Sequence, residues 1–136
     1  MVSPKKALFA YGSLQLRQVF ESVTGCTRQP VPAVLEGYRR TRLQGYAFPA
    51  ILPDPEASTD GVLYRELDDQ AWLRLDAFED DFYDRLSVTV TLAGGEVSES
   101  DVYVLRDDQA YLSLNVPWSL DDLGGDGLSD LLARVD

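Results

Sequence analysis

Chemistry in this chain has to be done without histidine, of which there is none, and with a single cysteine, Cys26. That removes Ser-His and Cys-His nucleophile pairs, imidazole zinc sites and thiolate cages. The loops that cradle phosphates or dinucleotides, G-x-x-x-x-G-K-[ST] and G-x-G-x-x-G, are absent as well. Proton transfer is left to Asp, Glu, Tyr, Lys or water. Among these Glu79 stands out. The spacing predicts a helix from about Asp69 to about Glu79, on which Ala71, Trp72, Leu75, Phe78 and Phe82 define one apolar stripe. Glu79 falls on that stripe, whereas Asp76, Asp80 and Asp81 point to the wet side. A carboxylate among apolar groups is costly unless paired or open to a cleft. Desolvation there raises its pKa toward the range useful for acid-base catalysis. Three other readings of the same residues stay open. The helix ends before Glu79, or Glu79 pairs with an arginine such as Arg85, or Asp76, Glu79, Asp80, Asp81 and Asp84 bind a hard cation. The last lacks the D-x-[DN]-x-[DN]-G loop of a calcium site.

The second candidate is Tyr11-Gly12-Ser13-Leu14, which follows the apolar run Leu8-Phe9-Ala10. Gly12 permits a close approach that a Cβ forbids, and Ser13 can bond its local backbone and end the extended run. A strand that ends this way before a helix leaves backbone N–H groups free for an anion such as a carboxylate. An ordinary strand and turn explain the same residues.

The elements that must position these groups follow from periodicity. Leu16, Val19, Phe20 and Val23 mark an amphipathic helix stopped at Gly25, with Cys26 a small filler in the loop beyond. Ala33–Leu43 reads as a strand, its Arg39, Arg40 and Arg42 a solvated face rather than a binding site. Tyr46–Pro53 is an apolar run broken by prolines, suited to an edge segment or a loop over a pocket. Asp54–Asp60 reads as a surface turn, Gly61–Leu67 as a strand, and Asp68 or Asp69 as a helix cap. Arg85–Leu92 alternates apolar and polar, and Ala93-Gly94-Gly95-Glu96 turns it into the partner strand Val97–Leu105. Ser119, with Asp122 in the capping-box position, predicts a short helix over Pro117–Leu123. A Gly124–Gly127 linker and a tail helix over about 128–135 close the pattern. The expected fold class is α+β: a small, mixed, mostly antiparallel barrel-like sheet with short helices.

Length and charge bound the setting. The 136 residues fit one domain with one core. A net charge of −11 argues against nucleic-acid phosphate and anionic membrane partners. No apolar run reaches the roughly 18 residues of a membrane span, and no apolar stretch follows Lys5 and Lys6 as a secretory signal would. Sparse cysteine suits a reducing, cytoplasmic compartment.

Several motifs, in order, resemble the γ-glutamylcyclotransferase-like family. Tyr11-Gly12-Ser13-Leu14 is similar to its Y-G-[ST]-L loop. Phe48-Pro49-Ala50-Ile51 is similar to Y-P-A-[IL], with Phe for Tyr, and Gly61-Val62-Leu63-Tyr64 to the G-x-[LV]-[YW] strand. Leu75-Asp76-Ala77-Phe78-Glu79 with Tyr83 and Arg85 resembles L-D-x-[FYL]-E-G-x-x-Y-x-R, Asp80 standing where the family commonly has Gly. Val102-Tyr103-Val104 and Trp118 resemble late family positions. The resemblance covers about residues 7–123 of a single 1–136 domain. It implies a barrel-like β fold and intramolecular cyclisation of a γ-glutamyl group to 5-oxoproline, with an amine or amino acid released and no metal or cofactor. It implies Glu79 as the acid-base residue, a Tyr11–Leu14 loop holding the glutamyl carboxylate, and Tyr103 lining the same pocket. The expected partner is a small γ-glutamyl molecule. Two further readings remain beside the enzyme: a carboxylate-binding module of the same fold without turnover, and an acidic interaction protein. Leaving group and oligomeric state are not specified by the residues.

Overall fold

The computed structural model describes residues 6–79 and 82–120. Within them run β1 (Lys6–Ala10), α1 (Arg17–Thr24), β2 (Val31–Arg42), β3 (Pro49–Leu67), α2 (Asp69–Glu79), β4 (Tyr83–Leu92) and β5 (Val97–Leu105). The strands close into a barrel in the order β1-β3-β2-β4-β5. Every pairing is antiparallel except the closure, where β1 meets β5 in parallel at Leu8 and Asp101. The expected barrel-like α+β sheet is therefore the one observed.

Side-chain alternation on β1 divides the core. Phe9 points into the barrel with Leu35, Ile51, Leu63, Val90 and Val102. Leu8 and Ala10 point the other way, under the two helices, with Phe20, Tyr64, Trp72 and Leu75. Burying each large apolar side chain contributes about 1.5–3 kcal/mol. The Phe20 and Tyr64 rings lie parallel, 3.8 Å apart. α1 ends at Gly25, whose φ of 73° is the left-handed stop that glycine tolerates. Of the two cap candidates it is Asp68 that caps α2: its carboxylate accepts the Ala71 N–H at 2.9 Å. The β4–β5 hairpin pairs Tyr83 with Leu105 and Thr91 with Val97, as the alternation predicts.

Two expectations are corrected. Asp54–Asp60 is not a turn between strands but lies within β3, which continues from Pro49 to Leu67. The register passes from Glu36 opposite Ser58 to Tyr38 opposite Pro53, so β3 carries extra residues there. This bulge absorbs Pro55, which has no N–H to give a ladder, and Pro53 borders it opposite Tyr38. From Pro49 the expected edge segment is a strand paired with β2 alone, since β1 meets β3 only over Val62–Leu67. The second correction concerns the arginines of β2. Arg39 pairs with Asp54 and donates to Asn115, and Arg42 donates to the Pro117 carbonyl. Arg40 is mostly buried and donates to backbone at the end of β1.

The capping box that reaches Asp122, the Gly124–Gly127 linker and the tail helix at 128–135 lie outside the described residues. Among the described residues no helix is long and apolar enough to cross a membrane.

Candidate active site

β1 delivers its C-terminal end to the site. Beyond Ala10 the chain makes a 3₁₀ turn over Ser13–Gln15, and its carbonyls are held from several directions. The Tyr11 carbonyl accepts from Gln15 Nε2 and from Arg40, each at 2.8 Å. The Leu14 carbonyl accepts the Tyr64 hydroxyl at 2.7 Å. The Tyr11 hydroxyl donates to the Tyr103 carbonyl of β5 at 2.6 Å. Gly12 packs against Pro49: a Cβ on it would sit 3.0 Å from the ring carbons of that proline. The Gly12 and Ser13 carbonyls close the turn by accepting from Gln15 and Leu16. The Ser13 and Leu14 N–H groups open the turn and have no acceptor among the described residues. The backbone is thus fixed by its oxygens, and the Ser13 and Leu14 donors are left over.

α2 delivers Glu79 at its last residue. Glu79, Tyr103 and the loop residues Tyr11, Gly12, Ser13 and Leu14 line one pocket. It holds about 530 Å³ of empty space, open mouth included. All six residues singled out in the sequence therefore come together, from three separate stretches of chain. Glu79 is the only carboxylate among the described lining residues, and none of those is Lys or Arg. The remaining wall is apolar and aromatic, with Phe48, Pro49, Phe78, Phe82 and Tyr83.

Electrostatics separate the roles of the ionisable groups. Burial holds the Tyr11 hydroxyl well above the usual tyrosine pKa, and the nearby Glu79 charge adds to this. For Tyr103 burial again acts first, then its hydrogen bond to Asp76, then the charges of Asp76 and Glu79; all raise its pKa against the opposing pull of Arg85. Both hydroxyls stay protonated donors at ordinary pH. The Tyr103 hydroxyl donates to Asp76 at 2.7 Å, and Asp76 lies 3.6 Å from the Arg85 guanidinium. Arg85 also reaches the buried Asp101 at 3.6 Å and lies over the Trp72 ring at 4.5 Å. Arg85 is thus committed to Asp76 and Asp101. Asp76, assigned by its helical angle to the wet side, is tied to the pocket through Tyr103. Its position three residues before Glu79 carried no signal of that, because the partner comes from β5. Among the described residues no group of three or more Cys, Asp or Glu could hold a metal ion. Asp80 and Asp81, two members of the cation-site alternative, lie outside them.

A family described as gamma-glutamyl cyclotransferase, AIG2-like, matches residues 8–120. AIG2-like protein C of Arabidopsis thaliana is 38% identical over 109 residues, covering 78% of this chain and 63% of that protein. The chain spans about half to two thirds of the length of the curated relatives it matches. A solution structure of an Arabidopsis thaliana protein superimposes with a TM-score of 0.69 at 26% identity, covering 79% of this chain and 75% of that one. A mouse AIG2-like protein shares the fold with a TM-score of 0.69 at 20% identity, covering 92% and 94% of the two chains.

Proposed function

The chain belongs to the gamma-glutamyl cyclotransferase, AIG2-like, family, and on that premise we propose that it cyclises a small γ-glutamyl compound to 5-oxoproline with Glu79 as general acid and base. The glutamyl α-carboxylate lies against the Ser13 and Leu14 N–H groups, which have no other acceptor among the described residues. Glu79 takes a proton from the α-ammonium. The free amine attacks the γ-carbonyl carbon, and the new C–N bond closes the five-membered lactam. As the tetrahedral intermediate collapses, the ring nitrogen gives up its second proton, the original γ C–N bond breaks, and the leaving nitrogen takes the proton held by Glu79 and, through solvent, the one released by the ring nitrogen. The products are 5-oxoproline and the amine in its ammonium form, and the carboxylate is restored.

The nucleophile is part of the substrate, so the lack of histidine and the absence of Cys26 from the described lining are no obstacle. Orientation is the larger task, because a well-oriented intramolecular reaction gains several orders of magnitude over a bimolecular one. The protonated Tyr11 and Tyr103 hydroxyls do not compete as bases. Both donate to groups of the protein, which stiffens the wall beside Glu79.

The observation that carries this reading is that Glu79, at the end of α2, and the Tyr11–Leu14 turn, at the end of β1, line the same pocket. The test is incubation with a panel of γ-glutamyl amides and amino acids and quantitation of 5-oxoproline. Release by the wild type from at least one compound, and its loss in Glu79→Gln, is the expected result. A protein that turns over none of the panel, yet melts at higher temperature with a glutamate analogue, is a carboxylate-binding module instead.

A further inference from the structure

We propose that the amine released at this site is an aromatic one that carries no carboxylate, rather than an α-amino acid. The inference rests on the cyclotransferase reading and specifies its substrate. An aromatic series runs from the pocket floor to solvent. Tyr103 is buried, with its ring 6.4 Å from that of half-buried Tyr83. Tyr83 lies 6.3 Å from Phe82 and 6.5 Å from Phe48. Those two rings meet edge to face at 5.6 Å, and exposed Tyr46 closes over both, 5.0 Å from Phe48 and 4.9 Å from Phe82. The Tyr83 hydroxyl fixes this rim to the floor by donating to the Pro49 carbonyl at 2.8 Å.

The glutamyl half of a substrate is taken up by the turn and Glu79, so the leaving half extends along the open, aromatic side. Rings in edge-to-face or offset contact accept a further ring in the same geometry. An α-amino acid leaving group brings a carboxylate, and the described lining offers it no Lys or Arg. It would instead meet the charge of Glu79, in a protein of net charge −11.

Three substrates isolate the two parts of the claim. The γ-glutamyl amide of 2-phenylethylamine carries the ring, γ-glutamyl-phenylalanine adds the carboxylate, and γ-glutamyl-ethylamide removes the ring. The phenethylamide is expected to exceed each of the others in kcat/KM by about tenfold or more. Tyr46→Arg, at an exposed rim position, is expected to raise turnover of γ-glutamyl-phenylalanine several-fold, as a cation there would pair with its carboxylate. If 5-oxoproline forms but γ-glutamyl-phenylalanine or the ethylamide matches the phenethylamide, the leaving-group assignment is overturned and cyclisation stands. If none of these three nor the wider panel yields 5-oxoproline, both readings fall together.

Discussion

Gly61→Ala tests how the barrel fixes the candidate site. A Cβ at Gly61 would lie 2.3 Å from the Ala10 carbonyl oxygen and 2.9 Å from Cζ of Phe9. An ordinary carbon–oxygen contact is about 3.3–3.6 Å, so the backbones must part by roughly 1 Å. The rings of Phe9 and its neighbours fill the barrel, so the side chain has nowhere to retreat. β1 and β3 pair at Phe9 with Leu63 and Ala10 with Val62, and about two ladder hydrogen bonds there are weakened at ~1 kcal/mol each. Overpacking against Phe9 adds about 1–3 kcal/mol. The expected loss is about 3–5 kcal/mol, a large part of the roughly 5–15 kcal/mol that holds a domain folded. At about 3–5 °C per kcal/mol, Tm falls by about 10–20 °C. Urea unfolding followed by circular dichroism, with a thermal scan, measures both. Gly94→Ala is the control, since a Cβ there meets nothing within 4 Å; it should stay within about 0.5 kcal/mol of wild type. A Gly61→Ala protein within about 1 kcal/mol of wild type would refute the close-approach argument.

Two further outcomes follow from the hydrogen bonds around the turn. Arg40→Met removes the donor to the Tyr11 carbonyl and to Asp60, whose side chain is 79% exposed. Gln15 still serves the Tyr11 carbonyl, so stability should drop by only about 1–2 kcal/mol, while kcat/KM falls by about tenfold as the turn loosens; unchanged kinetics would show that Arg40 does not position it. Burial raises the pKa of Tyr64 to about 12. Below about pH 10 it is protonated folded and unfolded alike, and above that the unfolded chain loses the proton first. Stability measured in urea should therefore fall as pH rises from about 10 to 12, less steeply in Tyr64→Phe, and a flat wild-type profile would contradict the assignment.

The parts legible in the sequence were those governed by local periodicity. The α2 stripe, the β4–β5 alternation and the Gly25 stop specify their elements without help from distant contacts. The Tyr11–Leu14 turn and Glu79 were legible as chemical oddities: a glycine after a buried strand, and a carboxylate at an apolar angle. What local patterns missed depends on partners far along the chain. Asp54–Asp60 looks like a turn, but β2 pairs with the chain on both sides of a bulge there and keeps it within one continuous strand. Arg40 looks like surface charge, but the barrel brings β2 beneath the end of β1, and its guanidinium lies 5.9 Å from the Trp118 ring. Asp76 looks solvated, but Tyr103 and Arg85 arrive from β5 and β4.

The central claim is that Glu79 moves the proton while the Tyr11–Leu14 turn holds the part of the substrate that does not react. The most direct measurement is kcat/KM for 5-oxoproline release by Glu79→Gln against wild type, with Tm as the check on folding. The account predicts a loss of about a hundredfold or more, the scale of general acid–base catalysis, at nearly unchanged Tm. A folded Gln variant that releases 5-oxoproline at the wild-type rate would contradict it.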